Sequence, residues 1–334
     1  MHSLTATLRA AARGVAVGLL SALSTIPASA QPVSQTLAQA NHALQSGEAD
    51  KALEMLHALP NGGASQAEAQ NLACRVHFTL QRWNQAASEC EQAVQLDAQN
   101  SVDHMWLGRA LGEKASRASF LSAFSLGKRV RVEFETAARL NPRNAPALTD
   151  LGEFYEEAPG IVGGGTDKAT QVADQLDKLD PARAHQLRAR IAESANDYGT
   201  AEREFKQAIA TAAHPALYWT SLASFYRRRQ RWPALDWAIR NCITAAERDK
   251  NAAVAYYDGA GILIESNRDP ALAAKMLEDY LASPSKSEEA PAFEAHLRLA
   301  RIKKQLGDQA GAQREKAEAL QLAHDYKPAL DFRP

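Results

Sequence analysis

Arginine recurs at one register of this 334-residue chain. Small residues repeat along the sequence, and the residue after each reads Asn41, Arg75, Arg109, Glu153, Arg190, Ser224, Ile262 and Arg301. Arg227 and Arg228, one helical turn beyond Ser224, continue the series. A guanidinium presents its N–H donors as a planar fork that meets both oxygens of a carboxylate at once. A row of them therefore suits an acidic segment or a C-terminal carboxylate. Glu153, Glu156 and Glu157 interrupt the row and are placed to neutralise it from within. Arginine is also a good helix former, ordinary on a solvated helix face.

The other reactive residue types form no catalytic constellation. The nine histidines are scattered, with no His-x-x-x-His, Cys-x-x-Cys or Gly-x-Ser-x-Gly, so no metal, cofactor or enzymatic centre is expected. Three cysteines leave one unpaired in any oxidised form. Cys90 lies one turn after Ala86 on the face that would meet the helix of Cys74, so a Cys74–Cys90 bridge is possible, and two buried thiols are the rival. If formed, it would close a loop worth about 3 kcal/mol in the entropic account. The run Ala158-Pro159-Gly160-Ile161-Val162-Gly163-Gly164-Gly165-Thr166-Asp167 reads as a structural turn. A phosphate loop would follow a strand and end in Gly-Lys-Ser/Thr, and Asp167 would repel the anion. Arg227 to Arg231 beside Trp232 suggests stacking on nucleic acid, but 38 basic residues against 39 acidic ones give no general attraction to it, and none is expected.

The elements that must position the arginines come from a repeat. Two positions stand twelve apart in Cys74 and Ala86, Ala189 and Ala201, Ala223 and Leu235, Gly261 and Ala273, and Ala300 and Ala312. Seven residues later, on the same helical face, come Ala93, Ala208, Cys242, Tyr280 and Ala319. With Ala137 and Leu176 the period centres in the mid-thirties. Leu140-Asn141-Pro142-Arg143-Asn144 and Leu179-Asp180-Pro181 end helices, and the proline opens the next one.

These features resemble the tetratricopeptide repeat family: Trp106-Leu107-Gly108, Leu151-Gly152 with Tyr155, Leu222-Ala223 with Tyr226, and the Leu-x-Pro-x-Asn endings. The resemblance implies an all-α, right-handed solenoid of about eight helix-turn-helix repeats from Ser34 to about Leu322, with Ala40, Ala52 and Leu59 marking a degenerate first pair. It also implies first helices lining a concave face that holds peptides or protein surfaces. Leu235 and Tyr280 are larger than the family's usual alanine, which predicts splaying in repeats six and seven. Insertions at about 116–127 and 158–166 fall between paired helices on one edge, where Ile161 and Val162 are expected to pack on Phe120 or Phe124.

Residues 1–30 read as a secretory leader: Arg9 and Arg13, an apolar run from Val15 to Ile26, then Ala28-Ser29-Ala30. The solenoid then occupies 31–334, periplasmic or secreted, with no membrane span expected. The sequence thus predicts a protein-interaction scaffold that binds a peptide or protein segment, acidic to match the arginines, through Arg75, Arg109, Arg190, Arg227, Arg228 and Arg301. A role in envelope assembly or secretion would fit that reading. The alternative is an enzyme or small-molecule binder at the insertion edge.

Overall fold

The computed structural model describes residues 30–334 apart from 61 and 64, with side chains from Val33 onward; the expected leader up to residue 29 lies outside the described residues. The described residues form helices and connecting turns, without a strand. The helices come in eight consecutive pairs. The first four pairs are α1 (Ala30–Ser46) with α2 (Ala49–His57), α3 (Gln66–Thr79) with α4 (Trp83–Leu96), α5 (Ser101–Ser116) with α6 (Phe120–Leu140), and α7 (Ala145–Glu157) with α8 (Thr166–Leu176). Then come α9 (Pro181–Ser194) with α10 (Tyr198–Thr211), α11 (Pro215–Arg228) with α12 (Trp232–Glu247), α13 (Val254–Glu265) with α14 (Pro270–Ala282), and α15 (Ala292–Gln305) with α16 (Gln309–Leu322). A short α17 (Lys327–Asp331) closes the chain. This is the all-α solenoid of helix pairs that the repeat implies.

Local chemistry sets the punctuation. Six first helices end in one way: a left-handed residue (Gly47, Gln81, Asn196, Gln230, Asn267 or Gly307) is followed by an N–H donated five residues back. That bond turns the chain sharply while satisfying a carbonyl at the helix end. Second helices run into caps such as Asn100, Asn144 and Asp180, whose side chains accept from the next helix's first turn. The two pairs with insertions lack the common turn. Here α6 is the longest helix, and the second insertion forms a short 3-10 turn, Gly160–Val162, reversed by left-handed Gly163.

The repeated positions form the core. Ala86, Ala201, Leu235, Ala273 and Ala312 are fully buried, as are Ala93, Ala137, Leu176, Ala208, Cys242, Tyr280 and Ala319. Leu235 and Tyr280 are therefore accommodated inside the stack; the Tyr280 hydroxyl donates to the Ala290 carbonyl. Close approach is visible at Gly108, where an added Cβ would lie 2.5 Å from the Phe134 ring. In the seventh pair the close-approach position is Gly259, 2.3 Å from Met276 Cε on the same test, rather than Gly261. Cys74 and Cys90 are joined, with Cα atoms 5.2 Å apart, while Cys242 is buried and free. Denatured protein without reductant should present one titratable thiol; three would contradict the bridge.

The apolar cap expected across the insertions does not form at Phe120. Val162 is buried against α6 at Gly127, where an added Cβ would lie 3.3 Å from Val162 Cγ1. Ile161, Phe120 and Leu121 remain 65%, 78% and 79% exposed. Gly127 lies two turns from Phe120, about 10 Å along the helix, so the loop seats too far down α6 to reach the tip.

The two ends of the solenoid meet. Leu37, Ala40, Leu44, Leu72 and Val76 share one apolar cluster with Phe293, Leu297, Ala319 and Tyr326. Gly47 sits so close to Ala292 that a Cβ would lie 2.4 Å from its backbone nitrogen. Gln81 donates to the Tyr326 hydroxyl at 3.1 Å, Arg82 pairs with Asp325, and the His324 N–H donates to Asp50 at 2.7 Å.

Candidate binding face

First helices present the predicted arginines, and the structure gives nearly all of them carboxylate partners from the chain itself. Arg109 on α5 grips Asp150 on α7 through Nε at 2.6 Å and Nη2 at 3.1 Å. Arg190 on α9 reaches back to Glu156 at 3.1 Å, to Glu157, and to Glu153 at 3.9 Å. Arg228 on α11 forks onto Glu193 of α9 at 2.8 and 2.6 Å, and Arg227 points the other way to Glu265 of α13 at 3.0 Å. Successive first helices are thus stitched by alternating charges. Arg301 is exposed and has no ion pair among the described residues.

Arg75 differs in what it holds. Its partner, Glu288, belongs to the non-helical 283–291 connection between α14 and α15. Arg75 Nε donates to Glu288 Oε2 at 2.9 Å and Nη2 to Oε1 at 2.6 Å. Gln45 completes the cradle, donating to Oε1 at 2.9 Å and accepting the Glu288 N–H at 3.2 Å. Asn41 Oδ1 also accepts from Arg75, at 3.3 Å. Arg75 and Arg109 both stand over the Trp106 ring, at 5.5 and 4.7 Å, which fixes their stems on an aromatic floor.

The same connection reaches across the interior. Glu289 and Glu294 line a recess of about 330 Å³ with Phe78, Trp106 and Arg109 on one side. On the other they line one of about 470 Å³ with Ser221, Ser224, Asp258 and Arg298. Burial, with nearby Glu289 adding to it and Arg298 opposing, pushes the Asp258 carboxyl up to about 7. Burial also raises Asp150 and Glu153 despite their arginines. The concave face is therefore mixed in charge, with an acidic recess at its α11–α13 side.

Sequence spacing located Arg75, Arg109, Arg190, Arg227 and Arg228 but missed most of their counter-charges. Asp150, Glu193 and Glu265 sit three residues from Glu153, Arg190 and Ile262, the neighbouring row of the same helical face, so that row was the available signal. Another missed pattern couples paired helices. His104, His185 and His296 each stand four residues before a small position, and their Nδ1 atoms meet Glu133, Glu204 and Glu315 at 2.6, 2.7 and 2.7 Å.

The class defined by this architecture is an all-α solenoid of tetratricopeptide-like helix pairs whose ends meet. Searches with family models and curated proteins match nothing. Among solved structures, the chain is similar to the crystal structure of a thermophilic TPR protein of Thermus thermophilus. Identity is 19%, coverage 58% of this chain and 98% of that one, and the TM-score 0.49. No described helix is long and apolar enough to cross a membrane.

Proposed function

We propose that this chain is an exported, non-enzymatic scaffold that captures an acidic segment of a partner protein on its concave face, in envelope assembly or secretion. The observation that carries the reading is the fork of Arg75 on Glu288. A carboxylate on an extended, non-helical segment already sits in the arginine-lined interior, held as an acidic peptide would be. The 283–291 connection is then the resident occupant, and an incoming segment displaces it or lies beside it. Arg301, exposed and unpaired, supplies a cation that costs no intrachain stitch to engage.

Replacing all the groove arginines would test folding as much as binding, because Arg109, Arg190 and Arg228 join helices. Arg301→Glu avoids that confusion. Affinity capture from an envelope extract should retain a partner on the parent and lose most of it on Arg301→Glu at unchanged helicity. Equal retention would remove Arg301 from the site. The small-molecule alternative rests on a recess at the insertion edge lined by Trp83, Asn84, Lys114, Arg117 and Leu126. Saturable binding of a small ligand there, with no captured protein, would favour it.

A further inference from the structure

We infer that the tip of the α5–α6 hairpin is a docking surface for an anionic lipid bilayer. The α6 helix begins ten residues before Val130, its contact position with α5, whereas α10 begins three residues before Ala201. The extra seven residues carry the hairpin about 10 Å beyond its neighbours at the usual rise per residue. At the apex stand Phe120 and Leu121, more than three-quarters exposed. Ile161, also exposed, lies lower on the same edge, because Val162 anchors the second insertion to α6 at Gly127.

Charge around this apex has one dominant sign. From 114 to 132 the chain has no Asp or Glu and carries Lys114, Arg117, Lys128, Arg129 and Arg131. Three are shared with acids: Arg117 with Glu113, Arg129 with Glu91 at 2.7 Å, and Arg131 with Glu135 at 3.8 Å. Lys114 and Lys128 have no ion pair among the described residues, and Lys128 lies over the Phe124 ring at 4.2 Å. Asp167, in the first turn of α8, is an exposed acid beside Lys168.

Shape selects the occupant. A convex tip of two exposed apolar side chains is far smaller than the roughly 1,200 Å² of buried surface that stable protein pairs need. A bilayer needs no matching pocket. It takes apolar side chains into the boundary between headgroups and acyl chains, about 5–10 Å deep, while lysines and arginines behind them meet anionic headgroups. The projection and the cations behind it have those dimensions.

The test is co-sedimentation of the full chain with phosphatidylcholine vesicles, with and without phosphatidylglycerol. The parent should sediment with the anionic vesicles, much less with the neutral ones, and be partly released by salt. Phe120→Ser with Leu121→Ser should weaken binding about tenfold or more at unchanged thermal melting. Lys114→Glu with Lys128→Glu should remove the preference for phosphatidylglycerol. Parent and variants share the same N-terminal segment, so a difference between them belongs to the hairpin. No sedimentation of the parent, or equal sedimentation of the Phe120/Leu121 variant, overturns the proposal. So does a captured protein lost on that variant in the absence of vesicle binding, which would make the tip a protein contact.

Discussion

Arg75→Met is expected to cost about 3 kcal/mol of stability and to loosen the junction between the two ends of the chain. The side chains of Arg75 and Glu288 are only 15% and 11% exposed, so removing the guanidinium strands a carboxylate that has lost most of its water. Gln45 would still donate to it, which places the cost at the low end of the range for breaking a buried pair. The double variant Arg75→Met with Glu288→Met leaves neither charge stranded and should recover most of the loss. Urea denaturation of both singles and the double would yield the coupling. Hydrogen exchange should rise in α1, α2 and α15–α17 before it rises in α7–α12. Single variants that merely add, with no coupling, would mean that the fork is incidental to closure.

Asp103→Asn should stabilise the protein by about 3 kcal/mol above pH 6. Asp103 is 1% exposed and its Oδ2 has no hydrogen-bond partner. Burial, reinforced by Asp97, pushes its carboxyl up to about 6 from 3.8. Below the unfolded value both states hold the proton and the residue costs nothing. As pH rises through the window from 3.8 to about 6 the unfolded chain loses the proton first, and stability falls. His77 acts in the opposite sense over much of the same range. Burial, aided by Arg82, lowers it to about 4 from 6.5, so its stability is complete above 6.5 and is lost as pH falls through about 4. The two slopes largely cancel in the parent. Asp103→Asn should therefore also expose a loss of stability on acidification from pH 6.5 to 4, which His77→Phe would remove. Denaturation midpoints across pH 4–8 would decide. An Asp103→Asn protein no more stable than the parent at pH 7.5 would place a compensating partner at the carboxylate.

What the sequence made legible is what repeats locally. The columns of small residues, from Ala86 to Ala312 and from Ala93 to Ala319, declare themselves because close helix approach demands them at fixed spacing. The arginine row was legible for the same reason. The left-handed turn after six first helices was less so, because Gln81 and Gln230 do the work usually given to glycine or asparagine. Closure was not legible at all. Glu288 meets Gln45 and Arg75 across more than two hundred residues, and no periodicity relates a connecting segment to the first repeats. The cap expected around Phe120 failed for a related reason: spacing brought the insertions to one edge, but the height at which Val162 seats on α6 is set by Gly127, a detail of packing.

In the proposed role the concave face takes acidic segments, and Glu288 and Glu289 occupy it in their absence. Fluorescence anisotropy of a short labelled glutamate-rich peptide, titrated with the parent and with Glu288→Gln/Glu289→Gln, tests it most directly. If the chain's own segment competes, vacating the site should tighten binding about tenfold, as expected when the competent state rises from a minor to a major population, and added salt should weaken both. Affinity unchanged by the substitutions, or no binding to either protein, would contradict the account and leave the arginines as stitches between helices.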